Sequence, residues 1–298
     1  MQIAVAEHVS PARDRWMFTE GDDIVPGRYA LKLLGGGTRY EAYLAHDEEL
    51  LSLVVVKILR PDRAHDVRAL AGLAAEHAAL RSLNHPSLVR SFDAVLGGDR
   101  PHLVLEFLDG PRLSTLIRKF GRLPLEQSIP LAVHVCSALH YIHAQGMVHL
   151  DVKPGNIIMG APPRLIDLSI ARSVRETAVL DSPVGTDAYM APEQCEPRAD
   201  DPIGPPADLW GLGIALYEAV TGRLPFPKMT NGTRHPQLDM EPRPIDDDVP
   251  PPVTDLVMRC LRRAPSERPT ARELAHDLEP LVGALPRRPV LNRLRPRL

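Results

Sequence analysis

The sequence predicts an α+β chain in two parts: a smaller part of strands with one helix, then a larger, mostly helical part. Three observations predict it. Up to Phe107 the apolar residues fall mainly at strand spacing, broken by one helical stretch. From Leu125 onward the sustained patterns have helical spacing. At 298 residues the chain has room for one large domain or two lobes sharing a cleft.

The elements follow in order. Residues 1–26 show mixed polarity without a sustained period and read as an extension, with Trp16 and Phe18 its candidates for partial order. Tyr29, Leu31 and Leu33 then alternate as a strand does, and a second strand runs through Ala42–Ala45. Between them Gly35, Gly36 and Gly37 make a hairpin whose tip can bring backbone N–H groups onto phosphates. Leu53–Val56 is a β-branched run ending at Lys57, as in a fully buried strand. Val67 to Leu83 has helical spacing, with Leu70, Leu73, Ala74, Leu80 and Leu83 on related faces and Glu76 in the middle. Two strands, about Val89–Val95 and His102–Phe107, are joined by the turn Gly97–Gly98–Asp99. Leu125–Gln145 is helical with Pro130 inside the pattern, and Asp208-Leu209-Trp210-Gly211 opens a strongly apolar helix to Val220. Residues 286–298 carry five arginines and read as a solvated tail.

Composition narrows the function classes. An apolar content of 44% supports a buried core, and a net charge of −3 gives no field that selects nucleic acid or a membrane surface. Cys136, Cys195 and Cys260 are far apart and lack C-x-x-C spacing, which supports neither a zinc site nor a disulfide framework. The first residues lack a basic start followed by an apolar run, and no stretch reaches the roughly 18 apolar residues of a membrane span. A reducing cytoplasm is the expected setting.

Chemistry concentrates in His149-Leu150-Asp151-Val152-Lys153-Pro154-Gly155-Asn156, which reads H-x-D-x-K-x-x-N. Pro154 and Gly155 are poor helix formers, so this is a loop held between ordered flanks. Further on, Asp167 closes the apolar, strand-like Leu165–Ile166. Two aspartates, a lysine and an asparagine suit phosphoryl transfer. That reaction needs a group to orient a hydroxyl, oxygen ligands for magnesium and a cation for the moving phosphate.

This pair of motifs resembles the catalytic loop and the metal-binding D-F-G of the protein kinases, in particular the eukaryotic-like serine/threonine protein kinases of bacteria. The resemblance runs from about Tyr29 to Leu278. Ala191-Pro192-Glu193 is similar to the A-P-E that closes the activation segment, and Arg268 to the arginine that pairs with its glutamate. Gly185-Thr186-x-x-Tyr189 and Lys153 resemble the serine/threonine type. The resemblance implies a two-lobed protein kinase fold: a small antiparallel-sheet lobe with one control helix over residues 27–108, and a larger helical lobe over 109–282. Mg-ATP would lie in the cleft, and 283–298 would be a basic tail.

It also implies roles. Asp151 would orient the acceptor hydroxyl or take its proton, Lys153 would neutralise the transferring phosphate, and Asn156 and Asp167 would hold Mg2+. Lys57 resembles the lysine of V-A-I-K, which reaches the ATP phosphates, with Glu76 as its orienting partner. The run Leu34, Gly35, Gly36, Gly37, Thr38, Arg39, Tyr40, Glu41 and Ala42 resembles the glycine-rich loop, with Tyr40 in the third glycine place and Ala42 in the valine place. Leu105 would back the adenine pocket, and Glu106 and Leu108 would offer backbone groups to the base edge. The implied function is transfer of the ATP γ-phosphate to Ser or Thr hydroxyls of a protein substrate, in bacterial signalling, with no nucleic-acid partner.

Three places depart from the family pattern. Leu150 stands where an arginine is usual, and Leu168 and Ser169 replace the Phe and Gly of D-F-G. Leu150 leaves a phosphate on Thr177 or Ser182 without its arginine anchor, so activity is expected not to need phosphorylation there. Tyr40 and Ser169 keep a nucleotide-binding pseudokinase scaffold open as an alternative. The loop pattern H-x-D-x-x-P-x-N keeps a small-molecule phosphotransferase of related fold open, although Gly185 to Glu193 speaks against it.

Overall fold

The computed structural model describes residues 14–227 and 234–285, so the expected arginine-rich tail lies mostly outside the described residues. The chain forms two compact units. The smaller comprises the described residues up to Asn84 with Leu88–Leu108 and Asp167–Ser169; the larger comprises His85–Ser87, Asp109–Ile166 and the chain from Ile170.

Among the described residues, the smaller unit holds a six-stranded antiparallel sheet. Its strands are β1 (Asp23–Val25), β2 (Arg28–Gly36), β3 (Tyr40–Asp47), β4 (Ser52–Leu59), β5 (Ser91–Val95) and β6 (His102–Glu106), in the order β1-β2-β3-β4-β6-β5. The helix α1 (Val67–Ser82) packs on β5 and β6. Asp66 caps it, accepting a hydrogen bond from Ala69 N at 2.8 Å, and Ala69, Leu73, Glu76 and Leu80 form its buried stripe.

The period of two sorts β3 and β4 into two faces. Tyr43, Ala45, Val54, Val56 and Ile58 point into a core shared with Ile24, Ala30 and Val104. Each such Val or Ile removed from water contributes about 1.5–3 kcal/mol. Val55 and Lys57 face the other way and are only half-buried, so β4 is not buried on both faces as its β-branched run suggests. In β2 the expected alternation also fails: Ala30 is the buried residue, while Leu33 is 46% exposed. Register shifts between Ala30 and Lys32 and between Leu33 and Gly35 break the phase of the strand.

The extension expected at residues 1–26 is part of this unit where it is described. Trp16 and Phe18 stack with ring centroids 5.5 Å apart and pack on the sheet core. Trp16 Nε1 donates to Leu59 O at 2.7 Å, and Phe18 meets Tyr43 edge-on. The guanidinium of Arg100 lies 5.3 Å from both outer rings. The sheet unit therefore opens before Gly27, because two aromatic side chains cover its apolar face.

The larger unit contains α2 (Leu113–Phe120), α3 (Leu125–Ala144), the short strands β7 (Met147–Val148), β8 (Ile157–Ile158), β9 (Arg164–Leu165) and β10 (Arg172–Ser173), and α4 (Val174–Thr177), α5 (Pro192–Cys195), α6 (Pro205–Thr221), α7 (Pro251–Cys260) and α8 (Ala271–Ala284). The helix α3 packs on α6 and α8, and α6 packs on α7. Nearly every residue of α6 from Ala207 to Val220 is buried. A Cβ on Gly211 would stand 2.7 Å from Val152 O, so only glycine lets α6 lie this close to the loop around Asp151. Cys136, Cys195 and Cys260 are all free and buried. The helix α8 runs past residue 282, where the tail was expected to begin.

Candidate active site

The two units each carry a polar cluster. In the smaller unit, Lys57 of β4 donates to Glu76 Oε1 and Oε2 of α1 at 2.7 and 2.8 Å, and to Asp167 Oδ1 at 2.9 Å. Glu76 occupies a core place in the stripe of α1 and is 1% exposed. A carboxylate buried so deeply needs a cation. Burial opposes the charge on Lys57, yet Glu76 and then Asp167 outweigh it and hold the ammonium pKa above the ordinary lysine value. Asp167 sits at φ +68°, and its Oδ1 also accepts from Ser169 N at 3.3 Å. Leu168 is buried.

The glycine-rich hairpin joins β2 to β3. Gly37 N donates to Tyr40 O at 2.9 Å, Thr38 and Arg39 are exposed at the tip, and Leu34 is largely exposed. Tyr40 and Ala42 share the Lys57 face of the sheet, and Ala42 is the register partner of Lys57. Glu41 stands within the same run. One residue along the strand, its side chain is buried on the opposite face, accepting from Tyr43 OH at 2.7 Å and from Trp16 N at 3.3 Å. Leu105 is buried. The amide of Glu106 donates to Arg90 O at 2.9 Å and its carboxylate pairs with the Arg90 guanidinium, while Leu108 is half-buried.

In the larger unit, Asp151 is the hub. Its Oδ2 accepts from Lys153 Nζ at 2.6 Å and from Asn156 Nδ2 at 3.0 Å, and its Oδ1 accepts from the Thr186 hydroxyl at 2.6 Å. Lys153 Nζ also reaches Thr186 Oγ1 at 2.6 Å, and Asn156 Nδ2 donates to Asp151 O at 2.9 Å. Asp208 holds the loop from beneath. Its carboxylate accepts the backbone N–H of His149 at 2.8 Å and of Leu150 at 2.7 Å, and lies 2.8 Å from His143 Nε2. Leu150 is buried at φ +68°, and Gln194 Nε2 donates to both Leu150 O and Val184 O at 2.9 Å. The loop geometry is thus over-determined by groups outside it, which lets it keep a sparsely populated backbone conformation.

Thr177 is 1% exposed in α4, and its hydroxyl donates to Ile203 O at 2.7 Å and lies 3.0 Å from Val174 O. It is a packing and hydrogen-bonding residue here, not an open acceptor for phosphate. Ser182 is exposed. Tyr189 OH donates to Glu218 Oε2 at 2.7 Å.

The structure therefore brings Lys57, Glu76 and Asp167 into one cluster and Asp151, Lys153 and Asn156 into another. Sequence reasoning missed three residues that shape the second. Thr186 had a signal, since it lies in the Gly185-Thr186-x-x-Tyr189 segment. Asp208 had a weaker one: a carboxylate at the head of an otherwise apolar helix. Gln194 had none, because its partners lie far away along the chain. Among the described residues, no group of three or more His, Cys, Asp or Glu side chains forms a metal cage.

Comparison with known proteins places this arrangement. The protein kinase domain family matches residues 29–278. The chain is 37% identical over 242 residues to serine/threonine-protein kinase PkaA of Streptomyces coelicolor, covering 76% of this chain and 42% of that protein. It is 33% identical over 269 residues to serine/threonine-protein kinase PknB of Mycobacterium leprae, covering 84% and 42%. With a probable serine/threonine-protein kinase of Clostridium perfringens it shares 32% over 266 residues, covering 86% and 38%. The chain spans about two fifths of the length of these relatives. By the family match and these identities, the chain belongs to the protein kinase domain family, among the bacterial-type serine/threonine protein kinases.

Proposed function

We propose that the chain transfers the γ-phosphate of Mg-ATP to Ser or Thr hydroxyls of a protein substrate. The observation that carries this reading is Asp151, whose two carboxylate oxygens are aimed by Lys153, Asn156 and Thr186 while Asp208 fixes the loop. Asp151 orients the acceptor hydroxyl and takes its proton, and Lys153 stabilises charge on the phosphoryl group in flight. Lys57, held by Glu76, binds phosphate oxygens of the nucleotide, and the hairpin from Leu34 to Ala42 covers them through backbone N–H groups. The Asp167 carboxylate and the Asn156 amide oxygen are hard donors of the kind magnesium takes. Bound magnesium would neutralise charge on the phosphates.

On this reading residues 27–108 are the nucleotide-binding lobe, with 14–26 as its cover, and residues 109–282 are the catalytic lobe. The substrate is a protein rather than a small molecule because the Gly185–Glu193 segment is built into the site through Thr186, whose hydroxyl donates to Asp151 Oδ1. Among the described residues no helix is long and apolar enough to cross a membrane. A cytoplasmic signalling role is part of the proposal.

Incubation with radiolabelled ATP, magnesium and a basic protein acceptor tests the reading. Phosphoserine or phosphothreonine should form with the wild-type chain and not with Asp151→Asn. Nucleotide binding without transfer by the wild type would favour the scaffold instead.

A further inference from the structure

We propose that Tyr40 is a positioning residue that covers the Lys57 ammonium where it rests on its two carboxylates, so that phosphates engage Lys57 only when the ring leaves. The inference rests on the proposed nucleotide-binding role of Lys57. Tyr40 opens β3, and its ring centroid lies 4.8 Å from Lys57 Nζ. Both Glu76 oxygens and Asp167 Oδ1 contact the Lys57 ammonium. With the aromatic face added, the Lys57 side chain is only 12% exposed. An incoming phosphate must therefore displace a neighbour. The carboxylates hold by charge-assisted hydrogen bonds, whereas the ring holds by the weaker cation–π attraction, so the ring yields first.

A second observation places the ring independently. A Cβ added to Gly72 of α1 would stand 3.4 Å from the Tyr40 hydroxyl. Gly72 lies one turn before Glu76 on the same helix face. Glycine is unfavourable inside a helix, and a Cβ here would only just touch the hydroxyl, so the ring end seats against this turn of α1. Tyr40 thus spans from the hairpin, across Lys57, to the turn of α1 that precedes its partner. Burial raises the phenol pKa, so the ring stays neutral beside the ammonium.

The test uses the full chain, with calorimetric binding of magnesium and a non-hydrolysable ATP analogue beside steady-state kinetics. Tyr40→Leu removes the aromatic face without freeing the backbone. It should tighten analogue binding and lower KM for ATP roughly 2- to 30-fold. Tyr40→Phe keeps the ring and should match the wild type. Gly72→Leu crowds the hydroxyl and should tighten binding as Tyr40→Leu does. Circular dichroism and melting curves establish that each variant is folded. Unchanged or weaker binding by folded Tyr40→Leu, with the wild type binding normally, overturns the inference and leaves the proposed function standing. Failure of the wild type itself to bind the analogue overturns both.

Discussion

Arg268 donates to both carboxylate oxygens of Glu193, at 2.6 and 2.9 Å, and the two side chains are 0% and 1% exposed. The remaining guanidinium donors go to Arg262 O, Arg263 O and Pro206 O, and the guanidinium lies 5.0 Å from the Trp210 ring centroid. No charge in the pair is left without a partner. Arg268→Ala would strand the Glu193 carboxylate, at a cost of about 3–5 kcal/mol. The expected result is a large fall in the urea midpoint. Glu193→Gln, which retains an acceptor, should fall less.

Glu76 acts through Lys57. In Glu76→Ala the lysine keeps Asp167 but loses the two contacts that set its direction. Turnover should drop on the order of a hundredfold, as misplaced catalytic groups commonly do. Initial-rate measurements at saturating ATP check this, and wild-type turnover in the variant would remove Glu76 from the mechanism.

Asp208 is bonded to two backbone N–H groups immediately before Asp151. Replacing it with alanine leaves those buried donors unsatisfied, each costing about 1–3 kcal/mol. Because the loop carries Asp151 and Lys153, kcat should fall far more than KM for ATP changes. A melting temperature and a kinetic split, measured together, check this.

Part of the Asp167–Pro192 segment is held by neutral hydrogen bonds. Thr177 is tied to Ile203 O, and Gln194 bridges Leu150 O and Val184 O. Leu150 offers no cation to a phosphate. Phosphatase-treated protein should therefore keep the turnover of untreated protein; a large loss on treatment would contradict this. Gln194→Ala should lower turnover without any change in phosphorylation state, which mass spectrometry can verify.

His102 supplies a pH dependence. It is 3% exposed, and its Nδ1 lies 2.7 Å from Arg100 O, which can only accept, so the neutral ring carries its proton on Nδ1. Its Nε2 is buried and has no hydrogen-bond partner among the described residues. Burial lowers the pKa below the ordinary 6.5, outweighing the hydrogen bond to Arg100 O. The unfolded chain then binds the proton more readily than the folded one. Stability should be full above about pH 6.5 and be lost as pH falls below it toward the folded-state pKa. Denaturation midpoints across this window check the sign, and the slope should shrink in His102→Gln.

Local spacing made much of this molecule legible. The residues from His149 to Asn156 act within one short loop, so their pattern survives in one dimension. The helix stripe of α1 placed Glu76 at its centre because the period of a helix is regular. Long-range geometry hid the rest. The burial of the Glu41 side chain was hidden because a strand's facing changes with each residue. Asp208 acts on His149 and Leu150, and Gln194 on Leu150, across dozens of positions, and no local pattern encodes that. Thr177 reads as a polar loop residue until Ile203 closes over it. The helix α2 was passed over, although Leu113, Leu116 and Ile117 have its spacing.

The Trp16–Phe18 pair lies upstream of Tyr29, where the family match opens. Anyone trimming the chain to that match would peel an aromatic lid from Tyr43 and its neighbours. The Glu41 carboxylate would lose the Trp16 amide, and Arg100 would lose both rings on which it rests. The shortened protein would carry a greasy, wet sheet face and should clump on purification, a fault easily mistaken for an inactive enzyme.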